Sequence, residues 1–130
     1  MKYEFKPYES VLGLTFGKTR KEIIDILNIE PNNFEKTPGE IVDDFKFMHV
    51  YYKNNKSVAY EIFSDIDIVF ENINLTNNTI ENLTNKFKEL DDNLEIDYYG
   101  FTSYKYGFNI YGESNEVESL LVFEKDYYNN

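Results

Sequence analysis

The chain has 130 residues, of which 42% are hydrophobic and 18% are aromatic, and it carries a formal net charge of −11. This apolar content argues against disorder, and the length fits one domain with a substantial core. The chain has no cysteine, which excludes disulfide bonds and cysteine-ligated zinc. No segment has the pattern of a signal peptide or a membrane span, so we expect a soluble, cytoplasmic protein.

The negative charge lies mainly in the second half of the chain. Residues 1–65 carry 9 Lys and Arg against 11 Asp and Glu, whereas residues 66–130 carry 4 against 13. Such a field repels nucleic-acid phosphates and attracts basic proteins. We therefore expect a basic protein partner, with no direct contact to nucleic acid or membrane. The alternative is that the acidity only keeps the protein in solution.

The first predicted element is a helix that begins after Thr19, because the sequence T-R-K-E places Glu22 where it can complete a capping box. Apolar residues at helical spacing follow over residues 23–27, and Pro31 ends the helix by about Ile29. The next segment is rich in Pro, Asn and Gly, which predicts a loop.

Four further elements follow along the chain. A β-hairpin is predicted over residues 44–63, with an Asn-Asn pair in its turn, and another strand over residues 66–70. A second helix is predicted over residues 78–90 with Asn78 as its N-cap. A second hairpin covers residues 103–126, and the remaining tail is expected to fray.

The order helix, loop and hairpin occurs twice, at an offset of 60 residues. This pattern predicts an α+β fold: a single domain over residues 1–130, built from two related helix-plus-hairpin half-units at about residues 8–64 and 68–124. The hairpins would form one antiparallel sheet, with two main helices packed against it. The aligned pairs are Thr19 with Thr79, Ile23 with Leu83, Leu27 with Phe87, Met48 with Phe108, Val50 with Ile110, Tyr51 with Tyr111, Asn55 with Asn115, and Phe63 with Phe123.

The stretch G-L-T-F-G-K-T-R-K-E-I-I-D-I-L resembles the start of a broad bacterial superfamily that includes the β-lactamase inhibitor protein and SmpA-type lipoproteins. The whole plan is similar to immunity-type proteins of bacterial toxin/immunity systems. This resemblance implies a cytoplasmic inhibitor that binds and blocks a basic toxin domain, such as a nuclease. Asn28 departs from the glycine that usually closes the helix. The matching residues are Phe16, Gly17, Thr19, Glu22, Ile23, Leu27, Tyr51, Tyr52, Val58 and Phe63.

The sequence offers little catalytic equipment. A catalytic triad would have to use His49, the only histidine, and we expect it to have a packing or surface role instead, on a strand face shared with Phe45, Phe47 and Tyr51. The acidic pair in S-D-I-D-I lacks a glycine-rich calcium loop, and no phosphate-binding loop is present. We therefore expect no enzymatic activity, no cofactor and no metal.

The strongest functional signal is a mixture of acidic and aromatic residues in the second half. Tyrosine is favoured at the energetic centres of interfaces, and acidic neighbours complement a basic partner. Strand alternation would turn Tyr104, Tyr106 and Phe108 inward, whereas the rings just before them lie in a loop. We predict that the partner-binding residues are Asp91, Asp92, Glu95, Asp97, Tyr98, Tyr99, Phe101, Glu116 and Glu118.

Several alternatives remain open at this point. The acidic loop could be merely solvated, with its tyrosines half-buried. On the last strand, either Leu120 and Val122 form an exposed apolar strip, or a helix covers them and Leu121 and Phe123 lie on the other face. The chain could be a monomer, a weak homodimer, or a structural or regulatory module that pairs a sheet edge with itself. A small-molecule role would require a deep cavity lined by aromatic residues.

Overall fold

The computed structural model describes residues 1–128, and within this range the chain forms thirteen strands and two helices. In chain order the elements are β1 (Lys2–Glu4), β2 (Ser10–Val11), β3 (Leu14–Thr15), α1 (Arg20–Leu27), β4 (Asn32–Thr37), β5 (Glu40–Asp44), β6 (Met48–Lys53), β7 (Lys56–Phe63), β8 (Asp67–Phe70), β9 (Ile73–Asn74), α2 (Ile80–Leu90), β10 (Glu95–Ile96), β11 (Gly100–Ser103), β12 (Phe108–Tyr111) and β13 (Ser119–Phe123).

The predicted α+β class with two main helices is wrong, because the protein has a β-rich fold. Helix α1 has 8 residues and α2 has 11, whereas eight strands form one large antiparallel sheet. The strand order of this main sheet is β10-β11-β12-β13-β7-β6-β5-β4. A three-stranded sheet of order β1-β8-β9 and the two-stranded sheet β2-β3 complete the fold.

Two segments that the sequence assigned to loops are strands. Strand β4 covers N-N-F-E-K-T, and all six of its residues are exposed because it forms one edge of the main sheet. An edge strand with solvent on both faces has no apolar alternation to recognise, so its pairing with β5 determines its structure. Strands β10 and β11 have only 2 and 4 residues, which is too short for an alternating pattern to be recognised.

The two halves of the main sheet meet where β7 pairs with β13, and there Glu61 lies opposite Leu121. These two residues are 60 positions apart, which is the offset of the predicted repeat. Equivalent residues of the two strands therefore lie on either side of this pair, and the pairing is symmetric about it. The two hairpins share one register at this offset: Val50 pairs with Tyr60, and Ile110 pairs with Leu120. Each half contributes four strands to the sheet, rather than the predicted hairpin. The half-unit boundaries stay a prediction.

The hydrophobic core lies on one face of the main sheet. Both helices and the two small sheets contribute buried residues to it, including Ile23 of α1 and Phe87 of α2. On the sheet, alternate residues of the four central strands turn toward this layer and are fully or almost fully buried. These sheet residues are Met48, Val50, Tyr60, Ile62, Phe108, Ile110, Leu120 and Val122.

The opposite face of the main sheet, here called the open face, carries the other alternate residues. Most of its central side chains are only half-buried. The predicted fraying of the tail is wrong for Tyr127 and Tyr128, whose rings contact Phe123 at centroid distances of 5.7 and 5.0 Å. The last two residues of that predicted tail lie outside the described residues. The central side chains of the open face are Asp44, His49, Tyr51, Glu61, Phe63, Asn109, Tyr111, Leu121 and Phe123.

The start of α1 follows the predicted local chemistry. The Thr19 hydroxyl accepts a hydrogen bond from the backbone N–H of Glu22, and the Glu22 carboxylate accepts one from that of Thr19, so the predicted capping box is confirmed. The helix ends at Leu27, two residues earlier than predicted. Asn28 closes it in the left-handed conformation at φ 56°, which asparagine tolerates better than most residues.

The N-cap of α2 is Thr79, and the prediction of Asn78 is wrong by one residue. The Thr79 hydroxyl accepts a hydrogen bond from the backbone N–H of Asn82 at 3.2 Å. The Asn78 side chain accepts bonds from the Thr79 N–H and the Asn82 side chain, and so braces the same turn. Two neighbouring residues able to cap the helix made the sequence ambiguous here.

Candidate protein-binding surface

Three tyrosine rings lie side by side near the β10–β11 turn, at the edge of the main sheet opposite β4. They belong to Tyr98, Tyr99 and Tyr111. Tyr98 is 91% exposed and Tyr99 is 43% exposed. Their ring centroids lie 5.0 Å apart, and the Tyr99 ring lies 5.4 Å from that of Tyr111. The Asp97 carboxylate holds this turn in place, because it accepts hydrogen bonds from the backbone N–H groups of Tyr99 and Gly100 at 2.8 and 3.0 Å.

Acidic side chains lie near the Tyr111 ring and farther along β10. Burial, followed by the charge of nearby Glu113 and then that of Glu118, raises the pKa of Tyr111. The Glu118 carboxylate also accepts a hydrogen bond from the backbone N–H of Glu113 at 2.5 Å. Glu95 is exposed farther along β10 beside Tyr104, whose pKa is raised by burial and then by the charge of Glu95. We call this surface the tyrosine–acid patch; it comprises Glu95, Asp97, Tyr98, Tyr99, Tyr111, Glu113 and Glu118.

Two predicted partner-binding residues are not on the surface. Phe101 is fully buried on β11, where its ring packs against Phe87 and Phe108, because strand formation turns it into the core. Asp91 ends helix α2 and is buried, and it accepts a hydrogen bond from the Ser103 hydroxyl at 2.7 Å. The expectation that these two side chains are exposed is therefore corrected, since both are buried.

Two other predicted residues are exposed but lie outside the tyrosine–acid patch as defined. Asp92 follows α2 and lines a shallow hollow together with Tyr104. Glu116 lies beside the start of α2, where its backbone forms a bridge with Thr79. The prediction that Tyr104 turns inward is wrong, because the ring lies in the turn before β12 and is exposed.

His49 lies at the centre of the open face between two carboxylates. Its Nε2 is 3.5 Å from Asp44 Oδ1, and its Nδ1 is 3.6 Å from Glu61 Oε1. The Tyr51 hydroxyl donates a hydrogen bond to the same Glu61 oxygen at 2.7 Å. Rings of Phe34 and Phe63 contact the imidazole edge-on, at centroid distances of 5.3 and 4.9 Å.

The predicted shared face of His49 with Phe45 and Phe47 is wrong. Lys46 has a positive φ of 76°, which breaks the strand, and β6 begins only at Met48. Phe45 is buried in the core instead. The role of Glu61 was missed because its contact with His49 depends on the register of the hairpin, which no local pattern specifies.

One row of side chains joins the open face to the tyrosine–acid patch. Directly paired residues in an antiparallel sheet lie on the same face, so successive pairs define a line across all eight strands. At a strand spacing of about 4.8 Å this central row is about 33 Å long. It consists of Asn32, Asp44, His49, Glu61, Leu121, Asn109, Thr102 and Glu95.

A cleft opens at one end of the open face, between the β4–β5 and β6–β7 hairpins. Strands β5 and β6 pair at Val42 and Tyr51 but no further toward the hairpin turns. The register of β6 with β7 shifts at Val58, a bulge that increases the local twist of this hairpin. The resulting cleft has a volume of about 730 Å³, and its lining includes Arg20, Glu40, Ile41, Tyr51, Tyr52, Lys53, Val58, Glu124 and Tyr127.

Electrostatic interactions in this cleft are dominated by carboxylates that face tyrosines. Burial, followed by the hydrogen bond to Glu61 and then nearby charges that include Glu40, raises the pKa of Tyr51. Burial and the charges of the same two glutamates raise the pKa of Tyr127. Arg20 is matched by Asp43, since its Nε lies 2.9 Å from both carboxylate oxygens.

Within residues 1–128, no group of three or more His, Asp or Glu side chains is arranged to hold a metal ion. Neither helix in the described part of the chain is long and apolar enough to cross a membrane. Comparisons with protein-family models, with curated proteins and with solved structures find no match to this chain.

Proposed function

We propose that this protein is an immunity-type inhibitor that binds a basic toxin domain and blocks it by covering its surface. The observation that carries the proposal is one side of the main sheet, which holds the tyrosine–acid patch, the central row and the open face. It combines carboxylates with aromatic rings along about 33 Å of one side of the sheet. Binding would require no cofactor and no covalent step.

Two physical arguments support a protein partner. The Tyr98 ring is 91% exposed, and a large ring held in water gains free energy when a partner covers it. The surrounding carboxylates, together with the net charge of −11, would steer a basic protein toward this side and raise the association rate. A standard interface of about 800 Å² per partner fits on a surface of this width.

The test is binding of the product of the adjacent upstream gene, which under this proposal is the toxin, and protection of cells against it. We expect the protein to co-purify with that toxin and to protect cells that express it. The double substitution Tyr98→Ala with Tyr99→Ala should weaken binding at least tenfold, because it removes two exposed rings. Tyr3→Ala is the matched control, since Tyr3 is also exposed but lies on β1, outside the main sheet. Failure both to bind and to protect would refute the proposal.

A homodimeric structural module is the second candidate, and the edge strand β4 favours it. All six residues of β4 are exposed, so its outer edge can accept another strand. Multi-angle light scattering of the purified protein separates the two possibilities. A stable dimer in solution would support the module. A monomer at all concentrations would exclude it.

A further inference from the structure

We infer that the cleft beside Tyr51 holds a positively charged side chain, arginine or lysine, of the bound partner. The inference rests on the proposed function and adds to it the point at which the partner is anchored. We call this position the cation subsite and define it by the Tyr51 ring and the carboxylates of Glu40 and Glu61.

The protein's own Lys36 already places a cation at this position. Its Nζ lies 5.0 Å from the centroid of the Tyr51 ring, within the range in which an ammonium group is attracted to the face of a tyrosine. Lys36 is exposed on the edge strand β4. A long side chain on an exposed strand can move away, so a partner's cation can take its place.

The carboxylates beside the ring add to this attraction. The Glu61 carboxylate accepts a hydrogen bond from the Tyr51 hydroxyl at 2.7 Å. The Glu40 carboxylate accepts one from the Thr37 hydroxyl at 2.9 Å. Each carboxylate offers about four acceptor positions, so further hydrogen bonds can form. A guanidinium group can stack on a ring and donate to a carboxylate at the same time, which favours arginine over lysine.

The cleft lining includes Tyr51, Glu40 and two cations, Arg20 and Lys53, whereas Lys36 and Glu61 approach Tyr51 from outside this lining. Arg20 donates to Asp43, which matches its charge. Lys53 ends strand β6, beside the hairpin turn and two residues beyond Tyr51. The Tyr51 ring therefore has the exposed Lys36 over its face, Glu61 at its hydroxyl and the charge of Glu40 nearby. The cleft volume of about 730 Å³ accommodates an additional side chain.

The test uses a small probe and needs no partner protein. N-acetyl-arginine methylamide is titrated into the protein, and the NMR shifts of Tyr51 and His49 are followed; the matching citrulline derivative provides an uncharged control. We expect saturable shifts with the arginine probe and much weaker ones with the citrulline probe. Lys36→Gln should lower the dissociation constant of the arginine probe about threefold, because it removes the internal competitor.

Matched variants separate the subsite from general charge effects. Lys86→Gln changes the net charge equally at an exposed position on α2 and should leave the dissociation constant unchanged. Tyr51→Phe keeps the ring and should still bind, whereas Tyr51→Leu should not. Equal effects of Lys36→Gln and Lys86→Gln, or no saturable shift at Tyr51, would overturn the inference. Toxin binding is measured separately, so either idea can fail without the other.

Discussion

Asp43 illustrates how the fold accommodates a charged side chain beneath the sheet surface. Its carboxylate is buried and accepts hydrogen bonds from Arg20 Nε at 2.9 Å and from the Tyr52 hydroxyl at 2.8 Å. Burial, followed by that bond to Asp43, raises the pKa of Tyr52. A buried carboxylate is tolerated when such partners are present, and losing the charge leaves its donors without a matched acceptor.

We expect Asp43→Asn to lower the free energy of unfolding by about 2 kcal/mol. Removing one partner of a fully buried ion pair costs about 3–5 kcal/mol, and the 42% exposure of the Arg20 side chain reduces this value. Urea unfolding followed by circular dichroism measures the difference. Asp25→Asn is the control, because its bond to Lys21 lies on the surface and should contribute less than about 0.5 kcal/mol. Similar losses in both variants would contradict this interpretation.

Tyr60 should make the stability of the protein fall at alkaline pH. Its hydroxyl donates to the Thr15 carbonyl at 2.7 Å, and burial raises its pKa from 10.0 to about 12. The folded state therefore holds this proton more tightly than the unfolded state. The contribution of Tyr60 is complete below about pH 10 and is lost as the pH rises through 12.

The expected loss from Tyr60 is about 2 kcal/mol between about pH 10 and pH 12. Urea unfolding at several pH values in this range measures it. The variant Tyr60→Phe lacks the ionisable group, so its stability should fall less over the same range. A fall as steep in that variant as in the unaltered protein would show that other groups cause it.

At the scale of elements, the features that depend on local contacts could be predicted from the sequence. The capping box at Thr19 and the Asn54–Asn55 turn depend on neighbouring residues, and both occur where predicted, with φ of 52° and 63° in the turn. Phe101 was misplaced because β11 has only four residues and is fixed by pairing with β12. Its surroundings are contributed by residues distant in the sequence.

The candidate site depends even more on contacts between residues that are distant in the sequence. A regular hairpin extended from the Asn54–Asn55 turn would pair His49 with Tyr60. The bulge at Val58 shifts the register by one residue, so His49 pairs with Glu61 and the two faces of the strand exchange. The tyrosine–acid patch could be predicted in outline from composition. The central row could not, because it depends on seven strand registers.

Gly100 fixes how closely β11 approaches β12. A Cβ atom at this position would lie 2.0 Å from the carbonyl oxygen of Ile110, and backbone cannot move aside as a flexible side chain can. We expect Gly100→Ala to lower the free energy of unfolding by at least about 3 kcal/mol. Gly39→Ala is the control: its Cβ meets nothing within 4 Å, and only its positive φ of 84° should cost about 1 kcal/mol. Denaturant unfolding of both variants distinguishes the two causes.

At the scale of the whole molecule, the two faces of the main sheet have different roles. One face buries the core beneath both helices and the small sheets, whereas the other presents alternate residues of the same strands. The central row runs across both halves of the sheet through Glu61 and Leu121, the point about which the strand pairing is symmetric. A surface of this kind is held by the whole sheet rather than by one loop, so it can meet a partner with little rearrangement.

The position of the charge, and not only its total, should determine how quickly the partner binds. Glu95→Lys reverses a charge at the end of the central row, whereas Glu4→Lys makes the same change in net charge on β1, outside the main sheet. We expect Glu95→Lys to slow association with the basic partner about tenfold at low salt, because a local field steers the final approach. Glu4→Lys should slow it less than about twofold.

Stopped-flow association measured at about 20 and about 300 mM salt provides the readout. The difference between the two variants should shrink at the higher salt, where the Debye length falls to about 6 Å. Dissociation rates should change little, since an exposed charge at the rim acts mainly on encounter. If both variants slow association equally, steering arises from net charge alone. The carboxylate at the end of the central row would then have no special part in the encounter.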